Sequence, residues 1–335
     1  MYITESNLKI GLSNGQVSVV NTTDGERRLY PLNDVSGISL FGKPQLSTQL
    51  IRECLSRNIP VLFYSDDGHY FGYISSSEHI DPIRQKKQIY MADDSVFCMD
   101  WSRNIIHAKI ANSITLLESF SDIYKFLPEE LNGLNHSLAN LNIASSIEEL
   151  LGFEGNAARN YFECLPKLLT NQGFAFSGRS SRPPKDPFNS MLSYGYSLFY
   201  RNIIGAIERH GLHPYFAFLH KLRFGHAALA SDLIEEYRAP LIDKTIIDLV
   251  NSGSIEIEDF YENEAGAIYM TKSAAKMLTD CLSEVIAKNQ SYFTNINDRK
   301  AYGFQVMLDM KINNLIDAIE NQDAGLYQPF IWDPT

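Results

Sequence analysis

Cysteine is scarce in this chain: Cys54, Cys98, Cys164 and Cys281 stand far apart, with no CxxC pair and no histidine at zinc-ligand spacing. That excludes a disulfide framework and a zinc-finger module, and the four thiols read as reduced core residues. Long apolar runs are missing too. None approaches the roughly 18 residues that span a bilayer, and no basic start leads into an apolar stretch near the N-terminus. The chain therefore reads as soluble and cytoplasmic, with no membrane partner. Positive charge is in deficit, with 29 Lys and Arg against 40 Asp and Glu and a formal net charge of -11. Wholesale attraction to nucleic acid is excluded, and any contact with DNA must rest on local patches. Internal repeats and low-complexity tracts are absent.

What is present is ordinary globular material: 335 residues, 44% hydrophobic, 12% aromatic and 21% charged. That length exceeds what one core usually serves and suggests two domains. The charge is uneven. Between Gly155 and Gly225 the basic residues Arg159, Lys167, Arg179, Arg182, Lys185, Arg201, Arg209, Lys221 and Arg223 face only Glu163, Asp186 and Glu208. From His226 onward acidic residues dominate.

The first part alternates as strands, Val17 to Val20, Arg28 to Tyr30, Val35 to Leu40, Val61 to Tyr64 and Tyr70 to Ile74. Asn14-Gly15, Asp24-Gly25 and Asp67-Gly68 between them favour tight turns. Ser47 is placed to cap one helix striped with Leu50, Ile51, Cys54 and Leu55. After Ser75-Ser76-Ser77 the pattern changes, and Asp81-Pro82 opens a connection into helical spacing such as Ile106, Ile110, Ile114 and Leu117. Ser146 to Glu149 resembles a capping box. The expected fold class is α+β and multidomain. A small, mainly β N-terminal domain with one embedded helix covers 1–77, a linker 78–95, and a larger all-α domain 96–335. Gly173 to Pro187 reads as a long loop and the residues from Gln322 as a loosely attached tail, although Phe330, Ile331 and Trp332 could dock.

Two stretches could carry chemistry. Phe218 to Arg238 sets His220 ahead of a helix bearing Asp232, Glu235 and Glu236, and Gly152 to Arg159 holds Glu154 between two glycines. Imidazole with carboxylates is a ligand set for a hard or borderline divalent cation. By spacing alone, Leu229, Leu233 and Tyr237 share one helix face while Asp232, Glu235 and Glu236 form a solvated acidic one, and Ala239-Pro240 should end the helix. His220 by itself is an ordinary packed or surface imidazole. Gly152 and Gly155 each cost a helix about 1 kcal/mol relative to Ala. A kink, or close approach of a helix or ligand to the backbone, would account for them. Arg159, Arg179, Arg182, Lys185, Lys221 and Arg223 suit phosphate oxygens, though each alone is a solvated charge. The aromatic stretch Tyr194, Tyr196, Phe199 and Tyr200 reads as core rather than a base-stacking platform.

Gly152-Phe153-Glu154-Gly155-Asn156-Ala157-Ala158-Arg159-Asn160-Tyr161-Phe162 is followed by Arg182-Pro183-Pro184-Lys185-Asp186-Pro187-Phe188-Asn189 and Leu192-Ser193-Tyr194-Gly195-Tyr196. Then come Gly211-Leu212-His213-Pro214, Phe218-Leu219-His220, Asp232-Leu233-Ile234-Glu235-Glu236-Tyr237-Arg238 and Pro240-Leu241-Ile242-Asp243. In order, spacing and chemistry these resemble the CRISPR-associated spacer-acquisition integrases, the family of the first-numbered Cas protein. The resemblance covers most of the chain and is specific between Gly152 and Asp243. It is weaker around Val61 to Tyr64, Gly68 and Gly72. Lys109-Ile110-Ala111-Asn112 fits a family helix, but Ser113 stands where glutamine is usual, and beyond about Lys300 no motif is assignable. The resemblance implies that Glu154, His220 and Glu235 are catalytic and bind Mg²⁺ or Mn²⁺, with Asp232 one turn away as an alternative ligand. The choice between Asp232 and Glu235 stays open. It also implies an endonuclease and integrase acting on prespacer and leader-repeat DNA, an asymmetric homodimer with the N-terminal β-domain as the candidate interface, and the second-numbered Cas protein as partner. A non-catalytic DNA-binding scaffold and a transposon-encoded integrase relative are the alternatives.

Overall fold

In the computed structural model, which describes residues 1–66, 70–76, 80–171, 173–180, 183–287, 293–295 and 300–334, the chain divides into two units. A strand-rich unit takes Met1–Ile80 with Thr271–Ser283, and a helical unit takes Asp81–Met270 with Glu284–Thr335. The α+β class expected from the sequence is present, with strands first and helices after.

The strand-rich unit has β1 (Tyr2–Ile3), β2 (Leu8–Ser13), β3 (Gln16–Asn21), β4 (Arg27–Pro31), β5 (Ile38–Phe41), β6 (Gln45–Leu46), α1 (Thr48–Ser56), β7 (Val61–Tyr64) and β8 (Tyr70–Ile74). These form two four-stranded sheets, ordered β4-β3-β2-β6 and β1-β5-β7-β8. The β2–β3 hairpin turns through Asn14 and Gly15 at φ 50 and 73, the double left-handed geometry that Asn-Gly favours. Ser47 Oγ accepts the Leu50 N–H at 3.3 Å and caps α1. Ile3, Ile10, Val17, Ile38, Leu40, Leu50 and Val61 close the core. The Asp67-Gly68 turn lies outside the described residues.

The sequence assigned residues 96–335 to one helical domain, yet Thr271–Ser283 belongs to the strand-rich unit. This is most of α9 (Lys272–Ala287), tied there by Lys272 to Asp66 at 2.8 Å and Lys276 to Glu5 at 3.3 Å. Contacts across more than two hundred residues of chain leave no local signature.

The helical unit contains α2 (Pro82–Ala92), α3 (Ser95–Ser119), α4 (Asn132–Asn140), α5 (Ile147–Cys164), α6 (Pro187–Arg209), α7 (Ala228–Ile234), α8 (Lys244–Asn251) and α10 (Phe304–Asn321). The expected linker at 78–95 is thus mostly helix. Asp81 Oδ1 accepts from Ile83 and Arg84 N–H with Pro82 in the first turn, and Asp94 caps α3 in the same way. Asp81-Pro82 is a helix start, not a connection. Nor is the unit all-α: β9 (Phe260–Glu262) pairs with β10 (Ile268–Met270), and β11 (Phe293–Asn295) joins β12 (Lys300–Tyr302) and β13 (Trp332–Asp333). Gly173 to Pro187, with 181–182 outside the described residues, is irregular up to α6. No helix among the described residues is long and apolar enough to cross a membrane.

α3 is buried on most sides, through Trp101, Ile105, Ile106, Ile110 and Leu117, and touches α2, α4 and α5. The C-terminal segment completes it rather than hanging loose. Tyr327, Phe330 and Trp332 are buried. Asn112 donates to the carbonyls of Glu236 and Phe330 at 2.8 and 2.9 Å and accepts the Trp332 N–H at 2.8 Å. Glu236 accepts from the Tyr327 hydroxyl and the Phe330 N–H. The short polar spacing of residues 321–329 disguised a docked strap.

Asn112→Ala strands two carbonyls and one N–H in the interior, so an unfolding titration in urea should show a loss of about 2 kcal/mol or more. Burial pushes the Glu236 carboxyl up from its ordinary 4.5 to about 7, against the opposing pull of Lys311, Tyr327 and Phe330. A raised folded-state value means its contribution to stability is present below about 4.5 and is lost as pH rises through about 7. Glu236→Gln should flatten the pH dependence of the unfolding midpoint across that window; an unchanged slope would refute this account.

Candidate functional site

Four elements of the helical unit build the site. α3 contributes Lys109, α5 contributes Glu154, the segment before α7 contributes His220, and α7 with the turn after it contributes Asp232, Glu235 and Arg238. α5 starts where Ser146 Oγ accepts the Glu149 N–H, half of the expected capping box; the Glu149 carboxylate bonds Ser145 instead. This places Glu154 facing Lys109. Gly152 and Gly155 do not serve close packing, because a Cβ at either would meet nothing within 4 Å. The tight approach expected there is absent within this chain.

The acidic face of the helix after His226 is not solvated. Asp232 and Glu236 have no exposed surface and Glu235 is 6% exposed. The backbone also departs from a simple amphipathic helix: α7 ends at Ile234, and Arg238–Asp243 form a wide π-type turn running through Pro240 into α8. Such turns redirect side chains locally and recur at functional sites.

Each acid meets a different partner. Asp232 accepts the N–H groups of Phe218, Leu219 and His220 at 2.9, 3.0 and 3.0 Å, the Trp101 indole at 3.3 Å and His220 Nδ1 at 2.8 Å. A carboxylate that only accepts fixes the imidazole proton on Nδ1 and leaves Nε2 with a lone pair. Burial disfavours a charged imidazole, but Asp232 and the charge of Glu235 together raise the His220 pKa above its ordinary 6.5. Glu235 and Glu154 converge on Lys109. The ammonium bonds Glu154 Oε1 and lies 2.8 Å from Glu235 Oε2, while Arg238 reaches Glu235 Oε1 at 3.1 Å. Glu235 Oε2 is buried, and the Lys109 ammonium 2.8 Å away meets it. Burial would push the Glu235 carboxyl up; Arg238, Lys109 and His220 outweigh it and hold it near 2. Lys109 moves the other way, its pKa raised by Glu235 and Glu154 against burial.

A cavity of about 310 Å³ is lined by this pair together with Tyr161, Arg179, Tyr196, Arg238 and Asp243. Asp243 is wholly buried and accepts from Tyr161 and Tyr196 hydroxyls, each at 2.7 Å. Arg238 lies 4.3 Å over the Tyr196 ring. Arg179, expected as a free phosphate ligand, instead donates to the Ser180 carbonyl, Asn189 and Ser193.

The structure therefore brings Glu154 and Glu235 together and places Asp232 on His220. His220 lines a neighbouring groove with Ser146, Glu148 and Leu222. Among the described residues no group of three or more His, Cys, Asp and Glu is gathered closely enough to hold a metal ion. Arg159, Lys185, Lys221 and Arg223 are exposed, Lys221 facing Glu148 at 3.7 Å, and Arg182 lies outside the described residues. Lys109 and Arg238 are the site residues that sequence reasoning passed over. The signal for Lys109 was the family-like Lys109-Ile110-Ala111-Asn112 run, read only as a helix.

A strand-rich unit is thus followed by a helical unit that carries a constellation of acids, an imidazole and an ammonium. The family model described as CRISPR associated protein Cas1 matches residues 1–284, and the chain belongs to that family. It is 40% identical over 321 residues, 96% of this chain and 94% of the relative, to the CRISPR-associated endonuclease Cas1 of Mycobacterium tuberculosis. Two solved structures share the fold. A casposase bound to integration product has a TM-score of 0.79 at 23% identity, over 96% of this chain and 91% of that one. A Cas6-RT-Cas1–Cas2 complex has 0.78 at 24%, over 98% of this chain but 36% of that one.

Lys109→Met leaves Glu154 and Glu235 facing each other without the cation between them. Because the trio is only partly screened, urea titrations in chelator should show a loss of about 2–4 kcal/mol, partly restored by adding Glu154→Gln. A Lys109→Met protein as stable as its parent would refute the bridging role.

Proposed function

We propose that this chain is a metal-dependent DNA endonuclease and integrase of CRISPR adaptation, which joins prespacer 3′-hydroxyl ends to the leader-repeat boundary by transesterification. The observation that carries this reading is the convergence of Glu154 and Glu235 on one cationic centre, beside a histidine whose tautomer is fixed by Asp232. The 40% identity to a protein named as an endonuclease supports it.

The donor set fits a hard divalent cation: two carboxylates around a point now met by an ammonium, one of them almost wholly buried, and an imidazole nitrogen left free by its neighbour. Glu154, His220 and Glu235 would hold Mg²⁺ or Mn²⁺, which when bound withdraws charge from a scissile phosphodiester and lowers the pKa of an attacking hydroxyl. Asp232 serves as the positioning acid, since all its acceptor capacity is already committed to backbone, indole and imidazole donors. Lys109 and Arg238 balance the acids' charge and stand beside the cavity where a phosphate would enter. The exposed Arg159, Lys185, Lys221 and Arg223 grip DNA phosphates outside it, and Arg182 keeps the same role on its sequence alone. The reaction breaks one P–O bond as it forms another, so it needs no external energy source and runs backward as disintegration of branched DNA. Water in place of the 3′-hydroxyl gives plain cleavage.

The partners in this reading are prespacer and leader-repeat DNA, a second copy of this chain and the second-numbered Cas protein, in the cytoplasm. The Cas1–Cas2 assembly named for one structural neighbour and the integration product held by the other are consistent with them.

With labelled branched DNA and Mn²⁺, Glu154→Ala, His220→Ala and Glu235→Ala should each lower cutting and joining by about 100-fold or more. Stabilisation by Mn²⁺ in a thermal melt should vanish in the same variants. If the parent neither cuts nor joins, and Glu154→Ala binds Mn²⁺ as well as the parent, the chain is a DNA-binding scaffold instead.

A further inference from the structure

Between His220 and His226 the chain makes a short finger. Arg223 and His226 form an isolated antiparallel bridge, the His226 N–H bonds the Arg223 carbonyl at 3.2 Å, and Gly225 takes φ 69 to close the turn. The base is anchored on both sides. His220 is held by Asp232, while His226 stacks on Tyr200 with ring centroids 6.0 Å apart and meets Ser231 at 3.1 Å. The Ala227 N–H bonds the Tyr200 hydroxyl at 2.7 Å, and the two imidazoles at the base lie 6.4 Å apart. Lys221, Leu222, Arg223, Phe224 and Gly225 are all exposed.

The tip is chemically unusual. Leu222 is 63% exposed and Phe224 is 108% exposed, each next to a cation in the run Lys221-Leu222-Arg223-Phe224. Isolated apolar residues on a surface are common and mean little. Here a large aromatic is held away from every neighbour by a turn whose two ends are fixed in the site, so it cannot fold back to cover itself. Apolar residues alternating with cations suit one surface in particular: the edge of a duplex, where base faces are apolar and the flanking phosphates anionic. A purely apolar protein surface would offer no partner to Arg223, and none to Lys221 beyond its distant Glu148.

We infer that the finger Lys221–Gly225 is a wedge that inserts Phe224, backed by Leu222, between base pairs beside the scissile phosphate of the target duplex, with Lys221 and Arg223 on the adjoining phosphates. The inference rests on the reading of the chain as a DNA integrase. Unstacking a base step beside His220 lets the backbone bend and brings the phosphate toward Glu154 and Glu235. The wedge is needed for paired targets and dispensable for targets already open at that step.

The test uses the full-length chain with its small Cas partner on two targets of the same sequence. One is fully paired; the other is mismatched at the two base pairs flanking the joint, and a 2-aminopurine probe marks the flanking base of the paired target. Phe224→Ala should lower joining to the paired target by about tenfold or more, leave joining to the mismatched target within about twofold, and abolish the probe's brightening. Phe224→Trp should keep all three. Equal losses on both targets, no loss on either, or brightening that survives Phe224→Ala would overturn the wedge. Brightening is also read in a Glu154→Ala background, where no chemistry is required. A parent that brightens the probe but joins neither target would refute the integrase reading and leave the wedge standing.

Discussion

Asp232 accepts three successive backbone N–H groups, an indole and an imidazole with one buried carboxylate, and the arrangement of the site depends on that convergence. The three N–H groups turn the chain at Phe218–His220, the indole ties that turn to α3, and the imidazole fixes the orientation of His220. Burying a carboxylate this completely is tolerable only because its lone pairs are filled. The finger that follows His220 inherits its direction from the same acid. So does the rest of the constellation, because Asp232 anchors α7 and thereby sets where Glu235 and Arg238 emerge.

Three acids within five residues do three different jobs, and burial separates them. Asp232 is saturated by neutral donors and by His220. Glu235 is held ionised by Lys109 and Arg238, and Glu236 bears the full cost of burial with only a hydroxyl and an amide as close donors. Their charges are therefore unequal resources. The ionised one faces the cavity, the saturated one holds the frame, and the one pushed up toward neutrality locks the C-terminal strap. Asp243, also lining the cavity, repeats the last pattern, with burial pushing its carboxyl up to about 6 against two tyrosine hydroxyls.

Much of the fold was legible locally. Asn14-Gly15 and Asp24-Gly25 mark turns because few other residues tolerate left-handed backbone, and Ser47 and Ser146 mark helix starts because their hydroxyls satisfy orphan N–H groups. Asp81-Pro82 carried the same start signal but was read as a connection. The strands Leu8–Ser13 and Gln45–Leu46 were missed, being short or broken by glycine and lysine. The solvated acidic face was misread because periodicity reports that polar residues share a side, not what covers that side. Here α3 and the C-terminal strap cover it.

For the site, sequence alone determined the cast: a glutamate on one helix, a histidine ahead of a second, acid-rich helix, and motifs ordered as in the Cas1 family. It could not distribute the roles. Asp232 and Glu235 lie three residues apart on one helical face, so spacing treats them as equivalents. Only the tertiary structure tells their surroundings apart, by setting backbone amides against the shorter acid and Lys109 against the longer one. That difference depends on which donors long-range packing brings within about 3 Å, a distance that no local periodicity encodes.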